Sequence, residues 1–509
     1  MYPGAHDPNR LAIVMDDGET RTFGELDAAA ARIARMLQDR GLQRGDHVAF
    51  CVENEPEFLE ICWGAHYAGL LYTACSTRLT ADELAYIVDN CGAKAFFLGG
   101  TLADRAAEVD AKTPNVDHRF SVGGDISGYE PLTVALEGIS AEPLTDPIAG
   151  ADMLYSSGTT GRPKGIKPKP KNEPLNTMMM FTGVLAQALG FGDGDVYLSP
   201  APLYHAAPLR GCMSVHQLGG TTVVMRKFDP QQFLDLVAEH GITHSQMVPT
   251  MFVRLLKLSA EARAAADVSS LKGIVHAAAP CPVDVKRQMI EWWGPIIHEY
   301  YASTEGAGLT WTTSEDWLAH PGTVGRAVVG KPRVVDALGT EVGPGEEGTI
   351  YFSDGPEFEY HEDPAKTAEV HNEQGWATAG DIGYLDEEGF LFLTDRKAHM
   401  IITGGVNVYP QEAENALVTH PKVSDAAVFG IPNEDFGEEV KAVVVPMEEP
   451  ADPAALEAEL IAHCRSKLAD LKCPRSIDFR TELPRHETGK LYKRLLVDEY
   501  RAAHAADPS

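Results

Sequence analysis

The 509-residue sequence predicts an α/β fold: a large N-terminal domain of parallel sheets flanked by helices, with a small β subdomain, then a smaller α+β C-terminal domain. Three observations carry this expectation. The chain is too long for one core, at about 150 residues per domain. Short apolar runs alternate with helix-spaced segments over most of the first 300 residues, the signature of strand–helix–strand units. After about Gly345 that rhythm gives way to short strands joined by turn residues.

In chain order, His47–Val52 (HVAFCV) reads as a strand and Pro56–Ala68 as a helix with Phe58, Ile61, Cys62 and Ala65 on one side. Ala81–Asn90 is helical and Ala95–Leu98 extended. Thr221–Met225 is a strand, followed by the helix Asp229–Glu239 and extended segments Thr243–Val248 and Gly273–His276. A helix over Val283–Trp292 precedes a strand over Ile296–Tyr301. Gly348–Phe352, Ile382–Asp386 and Phe390–Thr394 are short strands, the last two joined by the hairpin loop Asp386–Gly389. Beyond a boundary at 394–398, Pro410–Leu417 is a helix with Pro in its first turn and Glu412 and Glu414 near its positive end. Strands Ala426–Ile431 and Val440–Val445 and helices Pro453–Ala469 and Leu491–His504 complete the chain. The expected domains are 1–395 and 396–509.

Composition narrows the function. Hydrophobic and charged fractions of 44% and 23% are those of a globular chain. A net charge of −31 argues against nucleic acid as a partner, because phosphate neutralisation needs clustered Lys and Arg. The eight cysteines include no C-x-x-C pair, so zinc and redox-pair chemistry lack support and buried reduced thiols are expected. The first ten residues carry no signal pattern, and no apolar run approaches the ~18 residues of a membrane span. A soluble cytoplasmic protein, not an integral membrane one, is the expectation.

The most informative segment is Tyr155-Ser-Ser-Gly-Thr-Thr-Gly-Arg-Pro-Lys-Gly165. Its hydroxyl pairs, glycines and Lys164 make a donor-rich loop whose backbone N–H groups can approach phosphates. It is not a Walker loop, which needs G-x-x-x-x-G-K-[ST]. A generic loop of this composition is a solvated linker; this particular string resembles the phosphate loop of the adenylate-forming (ANL) superfamily, acyl-CoA synthetases included. Further segments resemble that family in its order: Pro202-Leu-Tyr-His-Ala206, Ala277-Ala-Ala-Pro280, Tyr300-Tyr-Ala-Ser-Thr-Glu305 and Gly375-Trp-Ala-Thr-Ala-Gly-Asp381. Asp395-Arg-Lys397, Gly404-Gly-Val-Asn-Val-Tyr-Pro410 and Pro484-Arg-His-Glu-Thr-Gly-Lys490 follow.

The resemblance implies the ANL fold with a mobile C-terminal domain, and ATP, Mg²⁺ and coenzyme A as co-reactants. It implies nucleotide contacts from Ser156, Ser157, Gly158, Thr159, Thr160, Gly161, Ala278, Ala279, Pro280, Tyr300, Tyr301, Ala302 and Ser303. Asp381 and Arg396 are then the ribose contacts, and Tyr301 lies against adenine. Lys164, Thr304, Glu305, His205 and Lys490 become the catalytic set, with Glu305 on Mg²⁺, a cation that prefers oxygen ligands. Lys490 would bridge substrate carboxylate and α-phosphate, two anions that must approach each other. The same turn resembles a site at which related enzymes are acylated and silenced, since acylation removes the charge. Gly404 and Gly405 would line the pantetheine tunnel, and Ala398 is the hinge. Two steps are implied: acyl-AMP formation with pyrophosphate release, then displacement of AMP by the thiol of coenzyme A.

Two positions depart from the family. Ala398 stands where many relatives have Asp or Lys, and Ala379 replaces a common Thr; both leave Lys164, Glu305, Asp381 and Lys490 in place. The acyl pocket implied by resemblance comprises His205, Ala207, Ala278, Ala302, Ser303, Gly306, Ala307 and Gly308. These residues are mostly small and include no Lys or Arg, so the expected substrate is a medium-to-large apolar acid: fatty, aromatic or polycyclic. Close packing is the other explanation of the small residues. An amino-acid substrate is disfavoured, because no Asp occurs between Val196 and Lys227 to hold an ammonium. The competing readings are an enzyme of one half-reaction with an adenylating partner, a ligase that loads a carrier protein, and a non-catalytic nucleotide-binding module. A homodimer is compatible with the sequence.

Overall fold

The computed structural model describes residues 2–145, 147–156, 163–168, 172–396, 399–403, 406–433, 436–484, 491 and 493–506. The chain divides into two compact units. The first comprises Met1–Gln246, Asp267–Ile274 and Phe358–Thr367; the second comprises Met247–Ala266, Val275–Glu357 and Ala368–Ser509.

The first unit contains a six-stranded sheet in the order Glu130–Pro131, His118–Val122, Ala93–Gly99, His47–Cys51, Leu71–Ala74, Ala151–Asp152, with every pair parallel. His47–Cys51 is buried throughout, as a strand covered on both faces must be. Helix Ala81–Asn90 begins where Thr80 and Glu83 form a reciprocal cap with the backbone. Helix Pro56–Tyr67 differs from its expected one-sided pattern: only Glu57 escapes burial. It packs on the sheet through Phe50 and Phe58, 4.9 Å apart, and is covered by helix Phe23–Asp39. Sandwiched between layers, it has no solvent face to leave polar.

Within the same unit, Val196–Ser199, Thr221–Val224, Leu11–Met15 and His244–Met247 form parallel pairs, and Thr20–Thr22 adds an antiparallel edge to Leu11–Met15. Trp63 Nε1–H donates to His216 Nδ1 at 3.1 Å, and His216 Nε2 meets the Ala12 carbonyl at 3.1 Å, joining helices Pro56–Tyr67 and Ala206–Gln217 to the edge of the second sheet.

In the second unit the strands Lys331–Val335, Gly348–Ser353, Asp381–Leu385, Leu391–Arg396, Thr323–Val329, Leu309–Thr312 and Ile297–Ala302 follow one another in sheet order, all pairs antiparallel. The run of antiparallel strands in this unit therefore begins at Ile297, well before Gly345. The sequence rhythm missed Leu309–Thr312, a four-residue alternation too short to stand out, and Thr323–Val335, whose glycines and polar residues break the apolar alternation. The hairpin at Asp386–Gly389 is as expected, closed by the Gly389 N–H on the Asp386 carbonyl.

The last hundred residues of this unit build a five-stranded sheet around Val423–Asn433 and Gly437–Pro446, with Ser476–Phe479 parallel to the latter. Helices Pro410–Val418, Pro453–Lys467 and Lys493–Ala506 accompany it. Glu414 does not serve the positive end of its helix. It is buried, accepts the Val428 N–H at 2.8 Å and pairs with the buried Lys493 ammonium at 2.8 Å.

All eight cysteines are free thiols; seven are buried and Cys281 is half-buried. Burial pushes the Cys51 and Cys212 thiols up to about 12, which makes them inert packing residues. Among the described residues no helix is long and apolar enough to cross a membrane.

Candidate active site

In the first unit, Tyr155–Ser156 pairs antiparallel with Lys164–Lys167, in the register Ser156↔Lys164 and Tyr155↔Gly165. These strands flank the Ser/Thr/Gly loop, and the predicted contacts Ser157, Gly158, Thr159, Thr160 and Gly161 lie outside the described residues. Gly165 sits in close packing, since a Cβ there would stand 2.7 Å from Met153 Cε and 3.0 Å from Tyr155 Cζ. Lys164 directs its ammonium over the Tyr360 ring, 5.3 Å from the centroid. Asn90, which the sequence did not single out, braces this hairpin. Its side-chain oxygen accepts the Tyr155 hydroxyl at 2.6 Å, while its carbonyl meets His361 Nε2 at 2.9 Å; His361 N–H in turn donates to the Gly165 carbonyl at 2.8 Å. Burial raises the Tyr155 phenol, so it stays a donor.

His205 occupies the N-cap position of helix Ala206–Gln217, half-buried with its ring 4.4 Å from that of Tyr204, and Ala207 stands in the helix's first turn. A second unforeseen residue, the buried Asn54, orients this segment. Its amide nitrogen donates to the Met225 carbonyl at 2.8 Å and to Ala201 at 3.3 Å, and its oxygen accepts the Leu203 N–H at 2.8 Å. An isolated Asn after a strand carries no signal that distinguishes this clasp from a turn residue.

In the second unit, Ala277–Pro280 leaves the strand that ends at His276; Ala277 is buried, Ala279 half-buried, and Ala278 and Pro280 exposed. Ala278 has φ = 75°, the left-handed region that a Cβ disfavours. Strand Ile297–Ala302 carries Tyr300, Tyr301 and Ala302, and a turn closed by Gly306 N–H on the Ser303 carbonyl presents Thr304 and Glu305, both half-buried. Tyr300 stacks on Trp311 with rings 6.2 Å apart and nearly parallel.

Tyr301 Oη–H donates to Asp381 Oδ2 at 2.6 Å. Asp381 is 7% exposed, opens strand Asp381–Leu385 and pairs in register with Arg396. Thus Tyr301, Asp381 and the Arg396 backbone, distant in sequence, are brought together.

The small residues expected to line an acyl pocket are small for different reasons. At Gly308 a Cβ would lie 2.0 Å from Phe352 Cδ1, so ring packing demands glycine there; Gly306, with φ = 72°, faces open space. Ala307 is buried. Ala398, Gly404, Gly405 and Lys490 lie outside the described residues.

The family description "AMP-binding enzyme" matches residues 3–357, and "AMP-binding enzyme C-terminal domain" matches 412–490. The chain belongs to the AMP-binding enzyme family. It is an adenylate-forming enzyme of the acyl-CoA synthetase type with the ANL fold, as its motifs imply. The long-chain-fatty-acid–CoA ligase FadD13 of Mycobacterium tuberculosis is 30% identical over 97% of this chain and 96% of its own length. A feruloyl-CoA synthase of Amycolatopsis is 33% identical over 94% of each. The crystal structure of ATP-bound MatB from Rhodopseudomonas palustris is 30% identical with a TM-score of 0.81, covering 98% of this chain and 97% of that one. ATP and coenzyme A are substrates of this AMP-binding enzyme's family.

Proposed function

We propose that this enzyme activates a medium-to-large apolar carboxylic acid, fatty, aromatic or polycyclic, as its acyl-adenylate and transfers the acyl group to coenzyme A. The observation that supports it most is the Tyr301–Asp381 contact, which sets an aromatic ring beside a two-oxygen acceptor suited to a nucleoside. Lys164 and the hairpin around it serve the phosphates. Thr304 and Glu305 offer adjacent hard oxygen donors, the chemistry that Mg²⁺ of MgATP requires, and these residues would hold it. Bound there, Mg²⁺ supplies charge neutralisation to the phosphates.

The division of labour follows residues 1–395 and 396–509, with Ala398 as the hinge. Lys490 draws the carboxylate toward the α-phosphate, and the Gly404–Gly405 loop lines the thiol's path in the second step. Relatives named for a long-chain fatty acid and for a feruloyl product favour an apolar substrate. So does the absence of Lys and Arg from the residues assigned to the acyl pocket. The free thiols favour a reducing, cytoplasmic setting.

The test is a split assay with Mg²⁺, ATP and an acid panel running from acetate to palmitate, ferulate and a polycyclic propionate. One arm follows pyrophosphate release without coenzyme A; the other follows acyl-CoA by mass after it is added. Signal in both arms for a large acid is expected. Best turnover of acetate or propionate would overturn the substrate class. Acyl-CoA formed only from supplied acyl-AMP would indicate half an enzyme with an adenylating partner, and adenylation without acyl-CoA would point to a carrier-protein acceptor.

A further inference from the structure

A buried charged cluster in the second unit takes no part in the chemistry above. Lys286 Nζ lies 2.6 Å from Glu299 Oε2, and His276 Nε2 lies 3.4 Å from the same oxygen. Their side chains are 0%, 6% and 0% exposed. The ammonium also stands 5.0 Å from the centroid of Trp317, and the His276 ring meets Phe252 edge-on at 5.3 Å. Burial, with Lys286 beside it, holds the His276 imidazole neutral, so the cluster carries one cation and one anion. Burial pushes the Glu299 carboxyl up against the opposing pull of Lys286. Taking two ions out of water is costly, and an apolar pair of the same size fills such a volume at least as well. Stability alone is therefore a poor reason for this pair.

Its placement supplies another. His276 immediately precedes Ala277–Pro280, and Lys286 is the fourth residue of helix Val283–Trp293, which begins just beyond that segment. Glu299 lies two residues before Tyr301 on one strand, so both side chains project from the same face. The strained backbone at Ala278 persists only where its surroundings over-determine it. We propose that the Lys286–Glu299 ion pair, with His276, is a positioning device that ties the 277–280 segment to the strand carrying Tyr301, so that both present a fixed surface to the adenine nucleotide. The inference rests on the reading of these two segments as nucleotide contacts. An ion pair suits this role because its energy falls sharply when its geometry shifts, whereas apolar packing tolerates sliding.

The test uses the full-length protein, AMP binding by titration calorimetry, and the Michaelis constant of the best acid in pyrophosphate release. The variants are Glu299→Gln, Lys286→Met, the double Lys286→Met/Glu299→Leu, and Tyr301→Ala as a control. The double variant keeps volume and removes both charges, so it is expected to melt no lower than wild type. Its AMP dissociation constant is nevertheless expected to rise about 10- to 100-fold, as misplacing binding groups does, while the acid's constant moves by no more than about twofold. Wild-type AMP affinity in the double variant, with Tyr301→Ala weakened, would overturn the positioning role and leave the site reading intact. Equal losses for AMP and acid would also overturn it, as general loosening. If Tyr301→Ala binds AMP like wild type, the nucleotide reading of the strand falls and this inference falls with it.

Discussion

Acid should unfold the first unit through its buried histidines, and His216 gives the sharpest case. Burial lowers His47 and His216 to about 3 and His66 to about 4. At His216 geometry adds a reason: Nδ1 accepts the Trp63 N–H, so a proton there would face another donor. Because the folded values lie below the unfolded value of about 6.5, the stabilisation is complete above that pH. It is lost as pH falls from about 6.5 toward the folded values, since only the unfolded chain gains protons in that window. Between pH 7.5 and pH 5 each histidine removes about 2 kcal/mol, hence about 6 kcal/mol together, against a typical net stability of about 5–15 kcal/mol. His216→Gln keeps an acceptor for Trp63 and a donor for the Ala12 carbonyl, but cannot titrate. Urea unfolding followed by circular dichroism at both pH values should show its pH-dependent loss about 2 kcal/mol smaller than that of wild type. Carboxylate contributions cancel in this difference. Losses agreeing within about 0.5 kcal/mol would refute the argument.

Four other outcomes are expected. Lys490→Ala should cut pyrophosphate release by roughly 10²-fold or more, as loss of an oriented charge in a transition state does, while coenzyme A still consumes supplied acyl-AMP; equal loss in both half-reactions would contradict the assigned role. Glu305→Gln should shift the Mg²⁺ titration of activity to higher concentration, and an unchanged curve would remove Glu305 from that duty. Lys493→Met strands the buried Glu414 carboxylate, so denaturant unfolding of the C-terminal sheet should lose about 3–5 kcal/mol; a loss below about 1 kcal/mol would show the pair to be dispensable. Ala278→Gly relieves a positive φ and should raise stability by a few tenths to about 1 kcal/mol in the same measurement, whereas a large decrease would deny the strain.

Much of the architecture is legible in local pattern. Ala81–Asn90 and Gly273–His276 match their expected bounds, and the strands and helices named in the parallel region agree to within two or three residues. Such elements bury one face or all faces, and periodicity records burial. Helix Phe23–Asp39 was legible too, through the reciprocal cap of Thr22 and Glu25, but the apolar-run reading passed over its alanine-rich body. The strands between Leu309 and Val335 were not legible: Leu309–Thr312 alternates over only four residues, and the partly exposed Thr323–Val329 and Lys331–Val335 follow no clean alternation.

The sequence by itself determined the family and the residue types that it offers for the family's chemistry. Those properties reside in short contiguous strings, where neighbours in sequence are neighbours in space. Only the tertiary structure decided that Tyr301 donates to Asp381, that Asn90 and Asn54 brace the segments around Lys164 and His205, and that Gly308 yields its side-chain space to Phe352. It alone revealed Lys286 and Glu299 as a buried pair. Each is a contact between residues far apart along the chain, or set by packing whose geometry no local pattern encodes. Their energies depend on distances of a few ångströms that exist only once the layers have closed.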